Sequence, residues 1–345
     1  MLWFDLATST PILISLFFLF EVLENKNLKK NLIISGIFLS IAALIKQTSA
    51  IFFLVVIIIL FLRKIKLKDF FHLLIGPFII LLAFLIRLIQ EKAFFDFLNW
   101  VLIYPSKYWI KFPGYVQMNM KRGEIITIMI LFIPLLILLF SFKKIFKDKF
   151  FVLTIIFLLC SFLTVYPRFS FFHFQPALAI LPLVIAFIVK QEPKILFYIT
   201  TLLLLFFSFR NIYPKIKSDW GKETRFIGFE EKALSSIIKN NTSKEERVLF
   251  LGLNSNLYSL SERVPPKRWF DNFGWYLEID RVQEEIIERW NDNLPRVIFW
   301  KKPLQGEWYE LGVYQPKKIT DYIIENYNMD VEVYPDVYLW RIKDI

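Results

Sequence analysis

Cysteine is almost absent from this chain: one residue, Cys160, in 345. A lone thiol inside an apolar run supports neither a disulfide framework nor a thiolate metal site. Histidine is nearly as scarce, with only His72 and His173, so a zinc cluster has too few ligands to assemble. Ten glycines leave no room for a glycine-rich phosphate cradle, and no G-x-S-x-G elbow or H-E-x-x-H helix occurs. The first residues, Met-Leu-Trp-Phe-Asp, lack the basic stretch that opens a signal peptide.

What is abundant is apolar and aromatic side chain, with 56% of residues hydrophobic and 39 phenylalanines. They gather in runs at 3–23, 31–45, 48–62, 70–90, 124–141, 150–165, 171–189 and 195–209. Each is near the length that crosses a hydrocarbon layer of about 30 Å. The pattern predicts a polytopic α-helical membrane protein with about eight transmembrane helices, followed by a small α/β domain. Domain bounds fall at 1–209 and 210–345.

The net charge of +11 is a topology signal. Residues 1–209 hold 21 basic and 9 acidic side chains, whereas residues 210–345 hold 21 and 22. The hinges at 24–30, 63–69, 142–149 and 190–194 carry 13 of the basic residues, the alternate connections only seven. Lysine and arginine in short loops stay cytoplasmic. The expected location is the cell membrane, multi-pass, with the C-terminal domain extracytoplasmic. Basicity of this kind gives no support to a nucleic-acid partner; membrane lipid is the expected one.

Beyond residue 209 the hydrophobic rhythm changes. Helices are expected at 229–239, 281–290 and 317–327, strands at 247–252 and 296–300, and a hairpin at 331–341 turning about Pro335 and Asp336. Trp269, Phe270, Phe273, Trp275 and Tyr276 form an aromatic group that suits domain packing better than sugar stacking. Asn240 and Asn241 open two N-x-[ST] matches, which carry little weight alone.

Six polar residues stand out at what would be the outer ends of the spans. Asp5 precedes the first long run, where it either caps the helix or serves as a functional carboxylate. Lys46 lies between two short apolar runs, either snorkelling or reaching into a cavity to meet a phosphate. Tyr166, Arg168, His173 and Gln175 share one corner with Pro167 and Pro176. Arg168 can fork onto a phosphate or anchor to headgroups. His173 and Gln175 lie two apart, so a regular helix would point them in different directions. The loop at 94–122 is rich in tyrosine and tryptophan, as an aromatic belt or a lateral lipid gate would be.

The opening Trp3-Phe-Asp-Leu-Ala-Thr-Ser-Thr-Pro11, the run from Ser35 to Thr48, and Tyr166-Pro-Arg-Phe-Ser-Phe-Phe-His-Phe-Gln-Pro176 resemble the GT-C fold integral-membrane glycosyltransferases. Those related to protein O-mannosyltransferases and to the aminoarabinose transferase of lipid A are the nearest in pattern. The resemblance implies transfer of a hexosyl or pentosyl group from a polyprenyl-phosphate sugar donor to an extracytoplasmic acceptor. It implies Asp5 as a catalytic carboxylate, with Lys46, Tyr166, Arg168, His173 and Gln175 binding substrate. A divalent metal is compatible with such chemistry and is not required by any residue pattern. The family places decisive acidic residues in a first outer loop that is missing here, so Met1 reads as an internal start and the chain as an N-terminally shortened member. A non-catalytic multi-pass protein or a lipid-linked sugar transporter is the alternative reading, although no internal repeat is found.

Overall fold

A computed structural model describes residues 4–62, 66–112, 115–120, 147–169, 171–191, 227–272, 274–292, 294–301 and 316–343, with parts of 122–132 and 198–221. Two compact units emerge: residues 2–101 with 116–220, and residues 102–115 with 221–345.

In the first unit the apolar runs become α1 (Phe4–Leu23), α2 (Leu28–Ile45), α3 (Ile51–Leu62), α4 (Leu67–Gln90), α5 (Lys149–Leu163) and α6 (Gln175–Gln191). Asn25 and Asn27 turn the chain between α1 and α2 in left-handed conformations that asparagine tolerates. Asp148 caps α5, its Oδ1 accepting from the N–H groups of Phe150 at 2.8 Å and Phe151 at 3.3 Å. Ile12, Leu16, Leu32, Leu39, Phe52 and Phe157 form a shared core with no solvent exposure.

Helix α4 lies against α2 through a pair of glycines. A Cβ on Gly36 would sit 2.2 Å from the Leu73 carbonyl oxygen, and one on Gly76 would sit 2.4 Å from the Ile37 nitrogen. The two backbones touch there, as small residues permit. The other side of α4 leaves Phe71, Phe78, Leu81, Leu82, Ile86 and Ile89 exposed.

The expectation of about eight transmembrane helices is corrected by this geometry. Among the described residues only three helices are long and apolar enough to cross a membrane: Asp5–Leu23, Leu28–Ile45 and Lys68–Gln90. The apolar helices Gln47–Ile58, Lys149–Leu163 and Gln175–Phe187 are shorter. Helix length accounts for three of the five missing spans. Lys46 is extended, with φ −147° and ψ 117°, and a 3-10 turn at Gln47–Ala50 follows it. A second 3-10 turn at Phe171–Phe174 removes the first four residues of the run expected at 171–189. The runs expected at 124–141 and 195–209 lie largely outside the described residues.

In the second unit, α7 (Phe229–Asn241), β1 (Leu249–Leu251), α8 (Asn256–Ser261), α9 (Val282–Asp292), β2 (Val297–Lys301), α10 (Lys317–Asn326), β3 (Tyr327–Tyr334) and β4 (Val337–Ile342) build a small α/β domain. The sheet order is β1-β2-β4-β3; β1 and β2 are parallel and the remaining pairs antiparallel. Leu234 and Ile238 of α7 and Leu257 of α8 pack with Phe250, Phe299 and Leu339. Alternation along β2 turns Ile298 and Trp300 to the opposite face. Gly252 ends β1 at φ +74°, where a Cβ would lie 2.5 Å from the Lys301 carbonyl oxygen. Val282, Ile286 and Trp290, spaced by four residues, bury the inner face of α9.

Candidate functional site

At one end of the helical unit, three side chains far apart in sequence meet. Asp5 lies in the first turn of α1 and is only 2% exposed. Its Oδ1 accepts a short hydrogen bond from the Lys46 ammonium, and its Oδ2 lies 2.8 Å from Nδ1 of His173. Lys46 Nζ also donates to the carbonyl oxygen of Thr164 at 2.9 Å and lies 3.1 Å from His173 Nδ1. The lysine and histidine side chains remain 15% and 19% exposed.

Helix ends explain why these residue types settle here. Asp5 sits at the positive end of α1, where a carboxylate is favoured. Lys46 follows the last residue of α2 and reaches the carbonyl of Thr164, which follows the last residue of α5. Terminal carbonyls of this kind have no helical partner, and a cation is favoured beside them. His173 lies in the 3-10 turn that leads into α6. The local hydroxyls are used up by the backbone: Thr8 Oγ1 and Ser9 Oγ both donate to the Asp5 carbonyl oxygen, at 2.7 and 3.1 Å. The carboxylate is thereby left to Lys46 and His173.

Two buried polar atoms adjoin the cluster in sequence. Ser49 Oγ, three residues after Lys46, and Gln175 Oε1, two residues after His173, have no hydrogen-bond partner among the described residues. Leaving such atoms unmatched costs about 1–3 kcal/mol each, a cost that a polar ligand can remove. Tyr166 is 48% exposed on the corner after α5. The Arg168 stretch is tied down by backbone pairing: Gln117 N–H donates to the Pro167 carbonyl at 3.1 Å, and Phe169 N–H to the Gln117 carbonyl at 2.7 Å. The far end of the aromatic loop is thus fastened to the same corner that carries Arg168 and His173.

Of the six residues singled out in the sequence, Asp5, Lys46 and His173 are in direct contact. Gln175 is the first residue of α6, and Tyr166 and Arg168 belong to the adjoining corner. Thr164 and Thr48 were not anticipated; Thr48 Oγ1 approaches the same Thr164 carbonyl at 3.4 Å. The only available signal was Thr164's place at the end of an apolar run. In the C-terminal unit, Phe270 packs between Tyr258 and Tyr276 at ring-centroid distances of 5.9 and 6.2 Å, as core. Trp269 is instead 48% exposed beside Arg268. Phe273 and the Trp275 side chain lie outside the described residues.

Among the described residues no group of three or more His, Cys, Asp and Glu side chains is arranged to hold a metal ion. The cluster instead pairs an anion, a cation and an imidazole: a proton acceptor and a fixed positive charge within one hydrogen-bonded set. No protein-family model matches the chain, and no curated protein matches it.

Proposed function

We propose that this chain is a membrane glycosyltransferase that moves a sugar from a polyprenyl-phosphate carrier to a hydroxyl acceptor on the extracytoplasmic side, with Asp5, Lys46 and His173 at the reacting centre. The observation that carries the reading is the direct contact of these three residues at one end of the helical unit. In the reaction, the bond between the anomeric carbon and the carrier phosphate breaks and a bond to the acceptor oxygen forms. The acceptor's proton passes to a base, and the carrier leaves as a polyprenyl phosphate. Such a site needs a proton acceptor and a cation within a few ångströms of each other. The Asp5–His173 pair supplies the first and the Lys46 ammonium the second.

The surroundings suit a lipid-linked donor. Phe17, Leu54, Phe61 and the outer face of α4 present apolar side chains to whatever surrounds the helices. An isoprenoid tail and lipid acyl chains are the matching solvents. The sequence resemblance to GT-C enzymes points the same way.

Binding of polyprenyl phosphate to the full chain in lipid nanodiscs tests this, read from the phosphorus resonance. The wild type is expected to bind, and Lys46→Met to bind at least about tenfold more weakly, the scale of one charge-assisted hydrogen bond. An Asp5→Asn/Lys46→Met variant, which leaves no buried charge unpaired, guards against loss of folding. Equal affinity in all three proteins would contradict the proposal.

A further inference from the structure

We infer that the cluster exchanges its proton through Nε2 of His173, with Asp5 as the positioning residue that holds the imidazole and Lys46 as the counter-charge. Two groups converge on one ring nitrogen: Nδ1 lies 2.8 Å from Asp5 Oδ2 and 3.1 Å from Lys46 Nζ. That nitrogen carries either a hydrogen or a lone pair, so it cannot donate to one and accept from the other. If Nδ1 accepted from Lys46, the Asp5 carboxylate would face a lone pair at hydrogen-bond distance with no proton between them. If Nδ1 donates to Asp5, the stronger pairing is kept, and the 3.1 Å approach of Lys46 to Nδ1 becomes a contact without a hydrogen bond. Lys46 keeps the Asp5 Oδ1 and Thr164 carbonyl acceptors, and the carboxylate receives one donor on each oxygen.

Nδ1 is therefore committed, and proton exchange by this ring runs through Nε2. Exposure separates the two candidates for base in the same way. The Asp5 side chain is 3% exposed with both oxygens engaged, whereas that of His173 is 19% exposed. Burial of Asp5 leaves an acceptor hydroxyl little access to its remaining lone pairs, whereas the more exposed imidazole can be reached. For the sugar transfer proposed above, on which this assignment of a base rests, the acceptor O–H gives its proton to Nε2 as its oxygen bonds to the anomeric carbon. The imidazolium formed is held by Asp5, as in carboxylate–histidine pairs generally. Lys46 remains beside the departing phosphate.

The chain's only other histidine is His72, on α4 and outside the cluster. His72→Gln therefore leaves a single imidazole to observe. In that variant, labelled with nitrogen-15 histidine and held at mildly alkaline pH, where imidazole is neutral in water, Nδ1 is expected to resonate as the protonated nitrogen and Nε2 as the unprotonated one. Adding Asp5→Ala is expected to shift the ring toward the Nε2–H form. An Nε2–H ring with Asp5 in place overturns the inference, whatever the protein's activity. In a transfer assay with labelled polyprenyl-phosphate sugars, His173→Gln is expected to lower kcat at least ~100-fold, the usual worth of a general base, with KM for the donor little changed. Transfer at the wild-type rate by His173→Gln overturns the base while leaving sugar transfer standing. Failure of the wild type with every donor removes the proposed function and the base with it, and the resonances still decide the tautomer.

Discussion

The helical unit and the C-terminal α/β unit treat charge and apolar surface in opposite ways. In the first, Asp5 is 2% exposed while Phe61 is 82% and Phe78 66% exposed. In the second, Trp290 and Phe299 are fully buried while Arg281 and Glu288 pair with side chains 68% and 62% exposed. Ion pairs of similar chemistry thus carry different energies. An exposed pair exchanges water for a weak contact, but a buried carboxylate that loses its partner cannot recover its hydration. The contrast also bears on function. A small polar cluster inside an apolar unit is held in fixed geometry, and fixed geometry is what a reacting centre requires.

Five variants test that contrast, in descending order of expected effect. Asp5→Ala strands the Lys46 ammonium and should cost about 3–5 kcal/mol of stability. Asp5→Ala/Lys46→Met should cost less than the sum of the single changes, a coupling that unfolding of the purified chain in mild detergent would reveal. Gly76→Val drives a side chain into the backbone of α2 and should cost at least about 1–3 kcal/mol, the usual penalty of overpacking. The same unfolding curves measure it; an unchanged midpoint would mean that α2 and α4 do not touch at this crossing.

Arg281→Ala, on the surface of the C-terminal unit, should change stability by less than about 1 kcal/mol, and less still at high salt. A loss as large as that of Asp5→Ala would erase the distinction between the units. The smallest effect is expected at Glu278, an exposed residue whose carboxyl is pushed above the usual range by partial loss of hydration. A group held more tightly in its protonated form when folded favours folding below its unfolded pKa, and that contribution is lost as pH rises through the folded pKa. Glu278→Gln should therefore raise the melting temperature slightly at neutral pH and leave it unchanged in acid. A gain that is the same at both pH values would mean that ionisation at this position has no part in it.

Legibility in the sequence followed the same division. In the C-terminal unit, periodicity located most elements: the helix expected at 317–327 is Lys317–Asn326, and the strand expected at 296–300 is Val297–Lys301. The hairpin was read too short because β3 begins at Tyr327, and bulges near Met329 and Glu332 disrupt the alternation that marks a strand. In the helical unit, composition revealed apolar runs but not the lengths of the helices they form. The corner at Lys46 was legible, but nothing in the letters showed that the runs at 48–62, 150–165 and 171–189 would form helices too short to cross, and the count of crossing helices was overestimated for that reason. Asp5, Lys46 and His173 were noticeable because ionisable groups are costly beside apolar runs. The Thr164 carbonyl was invisible, because every residue carries a backbone acceptor and only the fold selects one.

Sugar transfer by the intact chain is the decisive measurement. The full chain would be reconstituted in proteoliposomes with labelled polyprenyl-phosphate sugars, and release of polyprenyl phosphate followed for the wild type, Lys46→Met and His173→Gln. Turnover is expected for the wild type, with a fall of at least ~100-fold in each variant that still unfolds cooperatively. Folded variants that transfer sugar as fast as the wild type would contradict the proposal.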